Sequence, residues 1–486
     1  MTAVALAMIG GAARGQTVST ARSAPSGVSQ EQALALAARL DALEQRNAEL
    51  EAQIQDLKAA SNANVKAVRD QVNGQPLVTL NNGRPQIATP DGANRFALRS
   101  VVQFDAAHYR ESPRTAANDL GSGVNFRRAR LGFEATVAKD WNVALWGEFG
   151  GTGGETAILN QAYVEYAGFR PFGLEEPLRL RVGAWATPAG LEDATSNTES
   201  LFLERAAVAE LVRNFATGDG RTGVGATLRG PRWYGSALLS GKVVGTPPTP
   251  EFDQQSGYAI RFAFNPAHSA DYDVHLGGNI QSILNPADTA AGPVSARAVR
   301  LQERPELRVS GVRLVDTGAI NSDGLTAYGL EGGASYKNLY AAGEYYRIDL
   351  NRQGASPFDP SFSGWYLQGA WTLTGEHHGW TNANGGFVGV RPSKAFNPAT
   401  GGWGALELAI RYSVLDLNDN AGSSGAATPV GGVRGGNQEI TTVGLNWYPN
   451  TVLRFLLDYQ RDRVSRLSAA GANIGEDVDV VSFRSQ

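Results

Sequence analysis

Between Phe126 and Gly151 apolar and polar residues alternate with a period of two. Ala129, Leu131, Phe133, Ala135 and Val137 fall on one side, and Arg128, Arg130, Gly132, Glu134 and Thr136 on the other. That spacing predicts a strand with one apolar and one polar face. Lys139-Asp140 interrupts it as a tight polar turn. Alternation then resumes, with Trp141, Val143, Leu145, Gly147 and Phe149 against Asn142, Ala144, Trp146, Glu148 and Gly150. The two runs read as a hairpin whose polar face carries arginines and glutamates.

The pattern recurs to the end of the chain. Phe96 to Asp105 alternates, as do Leu178 to Trp185, Val224 to Arg229, Ile260 to Phe264 and Tyr272 to Gln281. Tyr328–Tyr336 and Leu339–Ile348 flank a second tight turn at Lys337-Asn338. Further runs cover Trp365–Thr374, Leu406–Ser413, Val443–Trp447, Leu453–Tyr459 and Asp477–Gln486. The count comes to about 16 strands, an even number as a bacterial outer-membrane barrel requires. Short connections follow the second, sixth and eighth runs, and long ones follow the first, third, fifth, seventh and ninth. Aromatics gather at strand ends, where membrane interfaces place them. No blade-length repeat supports a soluble propeller. The expected class is all-β: a 16-stranded antiparallel transmembrane β-barrel over residues 96–486, preceded by a coiled-coil helix.

A different period governs residues 30–60. Heptad a positions fall on Ala33, Leu40, Asn47 and Ile54, and d positions on Leu36, Leu43, Leu50 and Leu57. The pairs Arg39 with Glu44 and Arg46 with Glu51 match g-to-e′ contacts of a parallel assembly. The alternative is an amphipathic helix lying on a protein surface. Ahead of it, residues 1–15 resemble the end of a secretory signal, with an apolar stretch from Ala3 to Ile9 and small residues after it. Residues 16–29 read as a flexible segment, and residues 61–95 as a periplasmic linker with an Asn-Asn-Gly turn signal.

Composition narrows the chemistry. The 486-residue chain has no cysteine, which removes disulfides, thiolate metal sites and a cysteine nucleophile. A mean hydropathy of -0.24 and the lack of any run of about 20 apolar residues past the first positions exclude a spanning helix but not a barrel. The net charge of -4 argues against a nucleic-acid partner. Lysine occurs only at Lys58, Lys66, Lys139, Lys242, Lys337 and Lys394, so almost every cation is arginine. The histidines lack ligand spacing, and neither a nucleophile triad, a phosphate-binding loop nor a dinucleotide fingerprint appears. An enzyme, a metal and a cofactor are therefore not expected.

Six stretches resemble the phosphate-selective porins O and P of Gram-negative outer membranes. They are NGRPQIATPDG at 82–92, FRRARLGFEAT at 126–136, LRVGAWATPAGLEDATSNTESLFLERA at 180–206, GWYLQGAWTLTGE at 364–376, LELAIRYSVLDLND at 406–419 and VGLNWYPNTVLRFLLDYQ at 443–460. The resemblance implies a 16-stranded trimeric barrel in the outer membrane with its third long loop folded inward. It also implies a constriction lined by basic side chains in phosphate-specific members. This chain departs from that pattern: the block Leu191 to Gly220 holds Glu192, Asp193, Glu199, Glu204 and Glu210 with only Arg205 and Arg213, and no lysine.

On the polar register lie Arg99, Arg128, Arg130, Arg179, Arg181, Arg229 and Arg411, with Glu134 and Glu148. Facing lipid, each arginine would cost about 2–4 kcal/mol near the midplane, so these side chains are expected to line the lumen or sit near an interface. They would either ease the passage of anions or, neutralised by the glutamates, brace and hydrate the wall. Constriction candidates are Arg205, Arg213, Glu192 and Glu204, together with Arg297, Arg300, Arg304, Arg308 and Arg313 from the basic segment 295–316. That segment either folds inward or stands outside as a solvated loop. The expectation is a passive porin for small anions such as phosphate, with weak anion preference. Its expected partners are outer-membrane lipids, two further copies of itself and small anionic solutes. The second reading is a trimeric tether whose periplasmic helix, cored by Leu36, Leu40, Leu43, Asn47, Leu50, Ile54 and Leu57, reaches peptidoglycan or other envelope components.

Overall fold

A computed structural model describes residues 30–73, 75–81, 83–113, 119–151, 158–244, 253–289, 296–354 and 358–486. The expected signal remnant (1–15) and flexible segment (16–29) lie outside the described residues. The chain divides into two units, Met1–Gln75 and Pro76–Gln486.

The first unit contains helix α1 (Gln30–Asn73), which continues past residue 60, where the heptad pattern stops. Its a and d side chains Leu36, Leu40, Leu43, Leu50, Ile54 and Leu57 are all exposed, and so is Asn47. Among the described residues this apolar stripe is left uncovered.

In the second unit sixteen strands form a closed antiparallel barrel. They are β1 (Arg95–Ser112), β2 (Gly123–Val137), β3 (Trp141–Glu148), β4 (Ile158–Phe169), β5 (Leu178–Ala184), β6 (Arg221–Gly230), β7 (Trp233–Val243) and β8 (Ser256–Phe264). They continue with β9 (Tyr272–Asn285), β10 (Val315–Tyr336), β11 (Leu339–Arg352), β12 (Ser361–Thr372), β13 (Ala405–Asp419), β14 (Val433–Tyr448), β15 (Phe455–Ser465) and β16 (Glu476–Ser485). Each pairs with the next in sequence, and β16 closes on β1 from Asp477↔Ser112 to Ser485↔Phe104. A closed sheet leaves no unpaired edge, which is what a wall in hydrocarbon needs. The linker contributes a hairpin, Leu77–Asn81 with Arg84–Ala88, whose second strand pairs with the start of β1.

The facing follows the sequence register. Leu131, Trp371 and Leu408 are exposed outward at 53%, 51% and 40%, while Arg128 and Arg411 turn inward at 3% and 1%. Outward aromatics form two belts. Phe96 stacks on Phe133 and Trp447 on Phe455 toward one end, while Trp365 tilts against Tyr412 toward the other.

Even-numbered strands mostly lead into short turns and odd-numbered strands mostly into long loops, although the β4–β5 and β11–β12 connections are both eight residues long. The β12–β13 connection, residues 373–404, sits on the short-turn side yet is long. It carries a small hairpin, Trp380–Thr381 with Gly386–Phe387.

Three connections fill the interior. Residues 185–220 carry helix α2 (Ala207–Ala216), which touches β7, β8, β9, β12 and β13 and is buried all round except at Asn214. Leu203, Val208, Val212 and Phe215 of this loop pack with Leu301, Leu307 and Leu314 of the β9–β10 loop and with Tyr346, Phe362 and Leu415 of the wall. Leu191, Leu201 and Phe202 meet Phe387 of the β12–β13 connection. The basic segment 295–316 therefore folds inward through its middle and is not a free outer loop.

The lipid-facing band gives a direct test. Ile410 lies on β13 between the levels of Trp371 and Tyr412. Ile410→Arg is expected to cost about 2–4 kcal/mol, against under about 0.5 kcal/mol for Lys337→Gln in a turn, in reversible denaturant unfolding in lipid vesicles.

Candidate pore and constriction

The third long loop is held inside the barrel by wall side chains that reach its backbone. Glu344 on β11 accepts the backbone N–H groups of Leu191 at 2.7 Å and Glu192 at 3.0 Å. It also accepts the hydroxyls of Tyr346 at 2.8 Å and Tyr366 at 2.7 Å. Gly190 is required at this entry, because a Cβ there would lie 2.0 Å from Glu344 Oε1 and 2.1 Å from the Tyr346 hydroxyl. Asp458 on β15 takes the N–H of Leu203 at 3.0 Å, and Glu306 takes that of Ala207 at 2.8 Å.

The loop's charges are then paired, almost one for one, against the wall. Glu204 accepts from Arg127 Nε at 2.7 Å and Arg484 Nη2 at 2.9 Å, with Arg128 at 3.6 Å and Arg308 at 3.9 Å. Arg484 also grips Asp105 through both carboxylate oxygens, at 2.6 and 2.7 Å. Arg411 joins Glu192 and, at 3.1 Å, Glu306. Arg130 bridges Glu148 and, at 2.8 Å, Asp219. Within the loop Asp193 holds Arg205 at 3.0 Å and Arg213 at 2.7 Å, and Arg213 reaches Asp219 at 2.9 Å. Glu210 receives Arg205 at 3.3 Å and also Arg308.

These pairings set the loop's ionisation. Burial opposes the charge on Glu204, yet Arg127, Arg128, Arg484 and Arg308 hold its carboxyl well below the usual range. Burial likewise works against Glu210, and Arg308, Arg213 and Arg205 bring it down to about 2. For Glu192 burial prevails over Arg411 and pushes the carboxyl up.

A second group of inward charges stays wet. Arg99 pairs with Glu134, Arg179 and Arg181 share Glu165 at 3.0 and 2.6 Å, and Arg229 meets Glu176 at 3.3 Å. The arginine side chains are 21%, 25%, 26% and 18% exposed in that order. Among the carboxylates, Glu134 and Glu176 are 28% and 37% exposed, while Glu165 is only 3% exposed, beneath its two arginines. Arg261 on β8, Arg411 on β13 and Arg484 on β16, by contrast, are each only 1% exposed.

The β12–β13 connection fills part of the interior beside Arg261. His378 Nε2 lies 2.5 Å from Glu407, Trp380 donates its indole N–H to His275 at 3.1 Å, and Arg261 donates to the carbonyls of Asn384 at 2.7 Å and Gly385 at 2.6 Å. Asn384 in turn donates to the carbonyl of Ala194 in the third loop at 3.4 Å.

The sequence-derived candidates thus separate into two places. Arg99, Arg179, Arg181, Arg229 and Glu134 form the wet strip. Arg128, Arg130, Arg411 and Glu148 are instead buried in the seam with Arg205, Arg213, Glu192 and Glu204. Arg308 joins that seam from the basic segment. Arg304 is buried, its backbone N–H bonded to Glu303. Arg313 lies 3.7 Å from Glu303, Arg297 pairs with Asp288 at 2.9 Å, and Arg300 pairs with Asp316 at the loop's outer part. Asp105, Arg127, Asp219, Glu306, Glu344 and Arg484 were missed as site residues. Alternation around Phe104 and Phe483 gives the inward side of Asp105 and Arg484, but not their partners. Among the described residues no group of His, Asp and Glu is placed to hold a metal ion.

The model of the family "Phosphate-selective porin O and P" matches residues 96–486. Porin O of Pseudomonas aeruginosa is 25% identical over 418 residues, covering 83% of this chain and 90% of that one. A Caulobacter vibrioides protein described as uncharacterised is 28% identical over 423 residues, covering 81% of this chain and 76% of that one. Among solved structures, the anion-selective porin from Comamonas acidovorans aligns with a TM-score of 0.44 at 13% identity, over 81% of this chain and 100% of that one. The trimer form of OmpT from Vibrio cholerae aligns at 0.45 and 11% identity, over 80% and 99%.

The seam has a pH signature. Carboxylates held below their unfolded values stabilise the loop fully above those values, and lose that contribution as pH falls through the folded ones. For Glu210 this loss runs from its ordinary value of 4.5 down to about 2. Protease cleavage within residues 185–220 is expected to be absent from pH 8 to 5 and to appear as pH drops below about 4. Cleavage that is independent of pH would remove the ionic seam as the anchor.

Proposed function

The chain belongs to the phosphate-selective porin O and P family, and from that premise we propose that it is an outer-membrane diffusion channel for small anions, phosphate among them, with weak anion preference and no tight phosphate site. The observation that carries this reading is the wet strip. Among the described residues it exposes four arginines against two carboxylates, since Glu165 is covered. Fixed charge that water can reach acts on a permeating ion, whereas charge already paired in the buried seam acts far less. The surplus is small because each arginine keeps a carboxylate neighbour, and the strip has no lysine. The pore-lining set is accordingly Arg99, Arg179, Arg181, Arg229 and Glu134. Arg128, Arg130, Arg411 and Glu148 brace the narrowing formed with Arg205, Arg213, Arg308, Glu192 and Glu204. Solutes cross without chemical change, and no cofactor takes part.

A planar-bilayer reversal potential in a potassium chloride gradient tests this. The natural channel is expected to favour chloride modestly. Arg179→Gln with Arg181→Gln should move the potential toward potassium, and by more than Arg128→Gln with Arg130→Gln. A natural channel that already prefers potassium would refute the reading.

The exposed heptad stripe of α1 supports a second role that coexists with the channel. Three copies joining Leu36, Leu40, Leu43, Leu50, Ile54 and Leu57 would form a parallel bundle on the periplasmic side, with Asn47 fixing register. The bundle would tether the outer-membrane trimer to peptidoglycan or another envelope component. In this reading residues 1–15 and 16–29 are the exported leader and a flexible segment, and residues 61–95, helical as far as Asn73, link the bundle to the barrel. Removing residues 16–75 should leave conductance intact while abolishing envelope retention and lowering trimer stability in light scattering. Unchanged retention and assembly would dismiss the tether.

A further inference from the structure

The wet strip is not bare arginine. In the β1–β2–β3 row Arg99 faces Gly132, which faces Trp146. The glycine lets the guanidinium lie 6.0 Å from the centre of the Trp146 ring. On β4 and β5 the Arg181 guanidinium sits 3.9 Å over the Tyr163 ring and 5.5 Å from Trp185, and the two rings meet edge to face at 6.4 Å. Glycines again flank the rings: Gly183 opposes Tyr163, and a Cβ at Gly225 would come within 2.9 Å of Trp185. Trp185 is buried at 4%, but Trp146 and Tyr163 are partly open. The indole N–H of Trp146 has no acceptor among the described residues, nor do Arg99 Nε and Arg179 Nε.

Guanidinium groups recognise carboxylates through paired donors. Ring faces reward a planar solute and offer little to a compact, strongly hydrated inorganic anion. Each arginine here is also partly neutralised by its glutamate, which weakens the pull on phosphate but leaves stacking untouched. We propose that the aromatic–arginine shelf of Arg99, Trp146, Tyr163, Arg179 and Arg181 is a binding subsite for planar aromatic carboxylates of the benzoate type. This rests on the anion-channel reading above and names the solute class that the same strip favours.

The test uses the full-length channel in planar bilayers at fixed ionic strength. Benzoate, cyclohexanecarboxylate, acetate and phosphate are added as competing anions while chloride current is read. Half-block by benzoate is expected at a concentration at least fivefold below that for the other three. Trp146→Leu with Tyr163→Leu should reduce the difference to under twofold. Should that pair fail to insert, the benzoate-to-cyclohexanecarboxylate ratio in the natural channel decides alone, because the two differ in planarity and not in charge. Equal block by those two acids overturns the subsite and leaves the anion channel standing. Persistence of the benzoate preference in the leucine variant overturns the choice of residues. A potassium-selective natural channel removes the underlying reading itself.

Discussion

Everything inside this barrel depends on pairing charges that have been taken out of water. An unpaired guanidinium or carboxylate in such a place costs several kcal/mol, so it persists only where geometry supplies a partner. Glu204 is the clearest case. It projects from a loop into reach of Arg127, Arg128 and Arg484 on the wall and Arg308 on a second loop. The loop cannot leave without stranding these cations, and the cations cannot be desolvated without the loop. The inward fold and the inward charges are therefore one constraint.

That constraint divides the lumen into a dry and a wet part. Around Arg411 and Arg484 the interior is filled by the third loop and, at Arg411, Glu306 of the β9–β10 loop, and around Arg261 by the β12–β13 connection, and charge is spent on cohesion. Along Arg99, Arg179, Arg181 and Arg229 the same residue type stays partly solvated. An arginine count over the barrel is thus a poor guide to selectivity. What matters is which guanidinium groups water can reach, and what lies beside them. The acids of the third loop are for the most part already paired with arginines.

The fold was legible from the residues because a barrel strand states its own facing. Leu131 or Leu408 against Arg128 or Arg411 fixes inside and outside with a period of two, and lipid enforces that choice at every step. The inward placement of Arg99, Arg179, Arg181 and Arg229 followed from the same rule. The role of the β12–β13 connection did not. Between Thr374 and Leu406 the alternation lapses among glycines, prolines and two adjacent histidines. The connection's inward course depends on Arg261 donating to the carbonyls of Asn384 and Gly385, a contact across more than a hundred residues.

By itself the sequence determined the strands, their register, the closed barrel and the heptad helix, since each rests on short-range periodicity set against water or lipid. Only the tertiary structure decided which arginines are neutralised and which remain wet. Arg128 and Arg181 occupy the same register and look alike along the chain. One meets Glu204, an acid from another connection, and the other keeps a solvated face beside Tyr163. Pairing in a desolvated interior is a property of distance in space, and local alternation carries no information about it.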